Sequence, residues 1–172
     1  MPATIRRIHD IDDDLRAGLV ALLRDVIDGN GSVGFGGHDD DAALAAYWAG
    51  VGDALGDALQ LWVAEQDGRV VGSVQLAPCQ RSNGRHRGDL QKMMVARAAR
   101  GQGLGSRLLV VAESHAQERG LRLLVLDTVV DSPADAMYRR GGWVEVGTIP
   151  GYASDPAGIL QATRYFYRQL PA

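Results

Sequence analysis

The chain has 172 residues, 46% apolar and 23% charged, which suits one domain of ordinary globular composition over residues 1–172. A formal net charge of −3 leaves no basic surplus for nucleic acid, and the single cysteine, Cys79, excludes an internal disulfide framework. That cysteine count agrees with a reducing, cytoplasmic setting; no apolar run is long enough to span a membrane, and the first residues carry no apolar leader-like run.

Residues 4–8 read as a short first strand. Residues 10–28 carry Leu15, Leu19, Leu22, Leu23 and Val26 on one stripe, an amphipathic helix with Asp12, Asp13 and Asp14 where the helix dipole favours acids. Residues 29–37 hold five glycines and break all periodicity. Two readings stand for this stretch: a loop that covers a substrate, with Val33 and Phe35 as its apolar contacts, or a loose linker. Residues 39–58 return to helical spacing with Leu44, Tyr47, Trp48, Val51 and Leu55; the two aromatics suit packing better than ligand contact. Residues 59–65 and 69–76 are two strands joined by an Asp67-Gly68 turn. Pro78 ends the second, and a polar loop follows to Arg87.

A strand over 88–95 leads straight into Arg100-Gly101-Gln102-Gly103-Leu104-Gly105-Ser106 and then a helix over 104–119. Gly120 stops that helix, and residues 121–126 form an almost continuous apolar strand. Ser132-Pro133-Ala134-Asp135 opens a helix over 133–140: Ser caps, Pro takes the first position, and an acid follows. Strands over 143–149 and 160–168, with a turn-rich loop between them, close the chain.

The glycine stretch therefore sits at a helix N-terminus. Amides there lack partners inside the helix, the dipole is positive, and glycine lets an anion approach the backbone. A phosphate or pyrophosphate is the natural guest, and a side chain at Gly103 is expected to weaken its binding by crowding the backbone. The stretch has no Gly-Lys-Ser/Thr, so it is not a Walker loop, and its GxGxG spacing is not the dinucleotide fingerprint.

The Arg-x-x-Gly-x-Gly word (Arg100, Gly103, Gly105), preceded by Met93-Met94-Val95, resembles the acetyl-CoA pyrophosphate loop of the GNAT superfamily of N-acetyltransferases. The element order β-α-α-β-β-β-α-β-α-β-β is similar to that family over nearly the whole chain. The resemblance implies an α/β (α+β) GNAT fold: a mixed, mostly antiparallel sheet of six to seven strands, splayed at the central strand and flanked by four helices. Ser32-Val33-Gly34-Phe35, Cys79-Gln80, Asn83-Gly84, Gln91-Lys92, Leu126-Asp127-Thr128 and Pro150-Gly151-Tyr152 resemble the tabtoxin resistance protein subgroup, which acetylates an amino-acid-derived toxin.

Acetyl transfer to an amine needs a base for the ammonium, a donor for the thioester oxygen and a proton for the departing thiolate. Two carboxylates are candidate bases. Asp89 lies on the central strand, where alternation puts Asp89, Gln91 and Met93 on one face; its plain alternative is an ion pair with Arg85, Arg87 or Lys92. Asp127 ends the next strand, where open sheets bind ligands; its alternative is turn work before Ser132. The resemblance implies an acid at about the place of Asp89, working through water, and a tyrosine near the sulfur, which is Tyr138; that ring could equally be packing. It also implies that acetyl-CoA, as co-substrate with no metal, is held by Met93, Met94, Val95, Arg100, Gly101, Gln102, Gly103, Leu104, Gly105 and Ser106. Val33, Phe35 and Tyr152 are the expected substrate contacts. Cys79 has no activating neighbour in sequence, and the four histidines show no metal spacing. The expected acceptor is a small-molecule amine, with an amino-acid-like antibiotic as one case; no nucleic acid or membrane partner is expected, and edge-strand pairing leaves room for a homodimer. The rivals are a protein or peptide N-acetyltransferase, a non-catalytic acyl-CoA sensor, and a nucleotide-binding protein that reuses the loop.

Overall fold

The computed structural model describes residues 2–171. Strand β1 (Thr4–Ile8) opens the chain, and α1 (Asp13–Asp28) starts where the Asp12 carboxylate accepts the Leu15 amide at 2.8 Å. The second helix, α2 (Asp41–Ala54), is capped in the same way by Asp40, which accepts from Ala43. It stops four residues short of the sequence expectation. Gly56 there takes a positive φ, and the Gln60 amide holds the Gly56 carbonyl at 2.6 Å. Strands β2 (Gln60–Gln66) and β3 (Arg69–Pro78) form the expected hairpin about Asp67-Gly68, both with positive φ, the handedness that matches strand twist.

Then come β4 (Arg87–Val95), α3 (Leu104–Glu118), β5 (Leu123–Val129), α4 (Pro133–Arg140), β6 (Val144–Ser154) and β7 (Leu160–Gln169). They make one seven-stranded sheet in the order β1-β2-β3-β4-β5-β7-β6, antiparallel throughout except between β4 and β5. Strand β6 runs five residues past its expected end, through Pro150. It is an edge strand, where proline removes no needed donor, and its register slips between Ile149 and Ala153.

Helices α3 and α4 cover one face, over a core that includes Leu76, Leu90, Leu108, Leu124, Tyr138 and Phe166. Helices α1 and α2 cover the other face with Leu19, Leu23, Leu44, Trp48, Leu61 and Val63. Among the described residues no helix is long and apolar enough to cross a membrane.

One local feature shapes everything near the centre. Ser73 pairs with Met94 and Gln75 with Gln91, so Lys92 and Met93 together stand opposite Val74 alone. This is a β-bulge, and Lys92 takes the left-handed conformation with φ 49°. The bulge reverses the alternation of side chains. Leu90 packs on the α3 side, Met93 also packs there, and Met94 enters the core under α1 and α2. The expectation that Met93 shares a face with Asp89 and Gln91 is therefore wrong: it holds only for an unbroken pleat.

Candidate functional site

Strands β4 and β5 pair only where Arg87–Asp89 meets Leu123–Val125, and then they part. From Leu90 onward the β5-facing edge of β4 has no strand partner. The gap opens into a cleft of about 280 Å³ whose walls include Val33, Lys92, Met93, Asp127, Tyr138 and Tyr152. A wider groove of about 680 Å³ over the outer side of α1 shares none of these residues. Its charged groups include the paired Arg24–Asp41 and Arg97–Asp25.

Asp127 sits on β5 directly opposite Tyr165 of β7. The Thr163 hydroxyl donates to its Oδ2 at 2.8 Å, leaving Oδ1 with no partner among the described residues. Tyr138 reaches the cleft from α4, a helix begun by Ser132, whose hydroxyl accepts the Asp135 amide. The Tyr138 ring packs against Trp143 and Phe166, with centroids 5.8 and 6.0 Å away, and the residue is only 4% exposed. Its hydroxyl has no hydrogen-bond partner among the described residues. Burial, and then the charge of Asp127, push the phenol well above its ordinary range, so it is protonated at neutral pH.

Tyr152 lies on the edge strand, with its hydroxyl 2.8 Å from that of Tyr165. That hydrogen bond, partial burial and the charges of Asp127 and Asp89 push the Tyr165 phenol up to about 12. Val33 is on the cleft wall, brought there because Lys92 Nζ donates to its carbonyl at 2.7 Å. Phe35 is not on that wall. It stands behind Lys92, edge-on to Tyr47, with its ring 5.7 Å from Nζ.

The 29–37 loop is thus tied down. Besides Lys92–Val33, the Gly37 amide donates to Pro156 at 3.0 Å, and the Asn30 side-chain amide reaches Asp155 at 3.4 Å. Asp155 also gathers the amides of Ala157 and Ile159 and the Gln161 side chain, all in or beside the β6–β7 turn. The loop, through residues 32–34, and that hairpin, through Tyr152, Ala153 and residues 161–163, together wall one end of the cleft.

Asp89 projects from the same sheet face as Asp127, one strand away, but is exposed and lies outside the cleft wall. Partial desolvation raises its pKa, and the charge of Arg87 opposes the rise. Gln91 beside it donates to Gln75 at 3.0 Å, and Gln75 in turn donates to the Tyr47 hydroxyl at 3.1 Å. Cys79 packs against Gly84, away from the cleft.

At the other end of the gap lies the glycine loop. Gly101 and Gly103 have positive φ (75° and 72°), and Gly103 is the N-cap of α3 without any capping side chain. The amides of residues 101–106 have no acceptor within reach among the described residues. Gly101, Gln102, Gly103 and Ser106 are exposed, whereas Leu104 and Met94 are buried and offer a ligand only their backbone. Arg100 is exposed, its Nε on the Val95 carbonyl at 3.2 Å, which folds its side chain back along the loop. Asp25 of α1 anchors the approach: it accepts the Arg97 amide at 2.7 Å and Nε at 2.9 Å. Six unpartnered amides at a helix N-terminus, beside an unpaired strand edge, can hold a phosphorylated carrier with an extended arm.

Lys92, Thr163 and Tyr165 were not singled out as site residues from the sequence. Lys92 had a signal, being the only lysine in the chain. Tyr165 and Thr163 had none, because only the register of β7 against β5 brings them to Asp127.

Residues 26–143 match the model of the acetyltransferase (GNAT) family. Over 103 residues the chain is 33% identical to an IAA acetyltransferase of Azospirillum brasilense, a match covering 59% of this chain and 65% of that protein. The chain thus spans just under two thirds of the length of that relative. Among solved structures, a ribosomal-protein-alanine N-acetyltransferase from Brucella melitensis superposes with a TM-score of 0.78 at 24% identity, covering 97% of this chain and 99% of that one. A phosphinothricin acetyltransferase from Sinorhizobium meliloti, in complex with AcCoA, superposes with a TM-score of 0.76 at 21% identity, covering 99% and 89%. At these identities the two structures speak for the fold.

Proposed function

The chain belongs to the acetyltransferase (GNAT) family, and on that footing we propose that it is an acetyl-CoA-dependent N-acetyltransferase acting on the amine of a small molecule. The observation that carries this reading is the row of unpartnered amides at 101–106, which follows in the chain the stretch of β4 whose edge has no strand partner and which lines the cleft. Those amides and Arg100 suit the diphosphate; the backbone of Met93, Met94 and Val95 suits the arm. Acetyl-CoA supplies an activated acyl group, and the reading calls for no metal.

Asp127 is the better placed of the two carboxylates to take the proton of the acceptor's ammonium, with Thr163 fixing one of its oxygens. Asp89 lies farther out and would act through water. Tyr138 remains protonated and so donates to the sulfur as negative charge develops there. Its raised pKa makes it a hydrogen-bond donor that steadies the thiolate, with the proton passing over only as charge builds.

The walled cleft favours a small acceptor over a folded protein, and Val33 and Tyr152 are its expected contacts. The local words that resemble the tabtoxin resistance subgroup favour an amino-acid-like antibiotic or toxin. The single cysteine fits a cytoplasmic setting, and we read residues 1–172 as one domain. Strand β6 leaves an exposed edge with Val144, Val146 and Ile149 outward, which favours a homodimer; sedimentation in solution tests that. The activity is tested by incubating the protein with isotopically labelled acetyl-CoA and a metabolite mixture. Labelled N-acetyl products and free thiol are expected; CoA binding without thiol release from any amine would favour a sensor instead.

A further inference from the structure

Seventeen of the chain's eighteen cationic Lys and Arg residues are arginines, and the one lysine is Lys92. It stands on the cleft wall, at the bulge, in a backbone conformation that side chains other than glycine, asparagine and aspartate rarely adopt. Partial burial of its ammonium lowers its pKa and the charge of Asp127 opposes that fall, yet no carboxylate is in direct ion-pair contact with it among the described residues. A partly desolvated cation with a carboxylate near it but not in contact is costly to hold unless something anionic comes to it.

The surroundings hold this ammonium in place without a direct ion pair among the described residues. One of its three N–H groups donates to Val33 O. The rings of Phe35 and Tyr47 lie 5.7 and 5.2 Å away. Gly34 takes φ 88°, and a Cβ there would come within 3.1 Å of Nζ, so the loop needs glycine to pass so close. Two N–H groups are left without a partner among the described residues. Among the described residues, Lys92 and Asp127 are the only charged side chains lining the cleft. The cleft therefore presents one cation and one anion, the complement of a zwitterion. A lysine suits this better than another arginine: a compact point charge can spend one donor on a carbonyl and keep two for a ligand.

We propose that Lys92 sets acceptor specificity by binding a carboxylate on the acceptor while Asp127 receives its amine, so that the preferred substrates are free amino acids and amino-acid-like zwitterions. This rests on the acetyltransferase reading given above.

The test is thiol release from acetyl-CoA with a panel of α-amino acids, their carboxamides and the corresponding decarboxylated amines. For the best amino-acid acceptor, kcat/KM should exceed that of its carboxamide by roughly tenfold or more. Lys92→Met should bring that ratio to within about twofold, mainly through the KM of the carboxylate acceptor, with acetyl-CoA KM unchanged. Lys92→Arg should keep part of the preference. A merely structural lysine would lower both acceptors alike. A wild-type enzyme indifferent to the carboxylate, or a Lys92→Met enzyme that keeps the preference, overturns the inference and leaves the acetyltransferase reading standing. If no amine releases thiol, that reading fails, and thermal shift of the CoA-bound protein decides the inference. Stabilisation by amino acids but not carboxamides, lost in Lys92→Met, supports it; equal or no stabilisation overturns it. Lys92→Gln replaces Lys92→Met in every arm if the latter does not fold.

Discussion

Substitution of Gly103 separates two ways in which the loop could depend on glycine. From the sequence, a side chain there was expected to crowd the backbone; in the structure, a Cβ on Gly103 meets no atom within 4 Å. What the position demands is conformation, since its φ is 72° and ψ is 8°. Holding an ordinary L-residue in the left-handed region costs about 1–2 kcal/mol, and more for a β-branched one. A Cβ at Gly101 or Gly103 would meet nothing within 4 Å that could enforce that shape, so a variant relaxes when free and must regain the shape to aim its amides at an anion. The cost then falls on binding, and 1–2 kcal/mol corresponds to about 5- to 30-fold weaker CoA affinity. Gly103→Val should lose most, Gly103→Ala less, and Gly103→Asn, whose side chain tolerates the left-handed region, no more than about threefold. Calorimetric titration with CoA measures this, with thermal melts alongside that should move little. If all three variants bind within about twofold of the parent, the loop does not hold the carrier. If Asn loses as much as Val, added bulk and not backbone conformation is responsible, and the reasoning is wrong.

Tyr138→Phe should lower kcat by roughly 100-fold while leaving acetyl-CoA KM and melting temperature nearly unchanged, because the hydroxyl bonds to nothing among the described residues; unchanged kcat would reduce the tyrosine to a packing ring. Asp127→Asn should cost more turnover than Asp89→Asn, since only Asp127 lines the cleft; steady-state kinetics showing the reverse order would return the base to Asp89. The clamp between α1 and the loop should depend on pH. Partial burial works against ionised Asp25, but the Arg97 amide and guanidinium outweigh it and hold its pKa below the ordinary carboxylate range. Its stabilisation is therefore fully present above the unfolded value of about 3.9 and is lost as pH falls through the lowered folded value. With Asp25 about a third exposed, the difference between parent and Asp25→Asn should be no more than about 1 kcal/mol at pH 7 and should vanish in strong acid, as read by denaturant titration.

Much of this was legible locally. The Asp12 and Ser132 caps, the Asp67-Gly68 turn and the leucine stripe of α1 are read within a few residues, and the structure agrees with each. The glycine stretch was equally legible as the start of α3, and its amides at 101–106 have no acceptor among the described residues. The errors came where distant chain intervenes. The face of Met93 was misjudged because alternation assumes an unbroken pleat, and the bulge shows only when β4 is set against β3. Strand β6 outran Pro150 because its place at the sheet edge removes the penalty that proline would carry inside a sheet. Phe35 was expected at the substrate, yet it backs Lys92, a contact spanning two elements far apart in sequence.

Periodicity, caps and turns act over one to four residues, so the order of elements, the two apolar faces and the glycine-rich helix start were determined by the sequence alone. Which side chains meet in the cleft was decided by tertiary structure. The bulge that turns Lys92 inward, the parting of β4 from β5 and the register that sets Tyr165 beside Asp127 depend on pairings between strands that share no local signal. Such pairings are settled by burying both faces of the whole sheet at once, and a short window of sequence cannot express that.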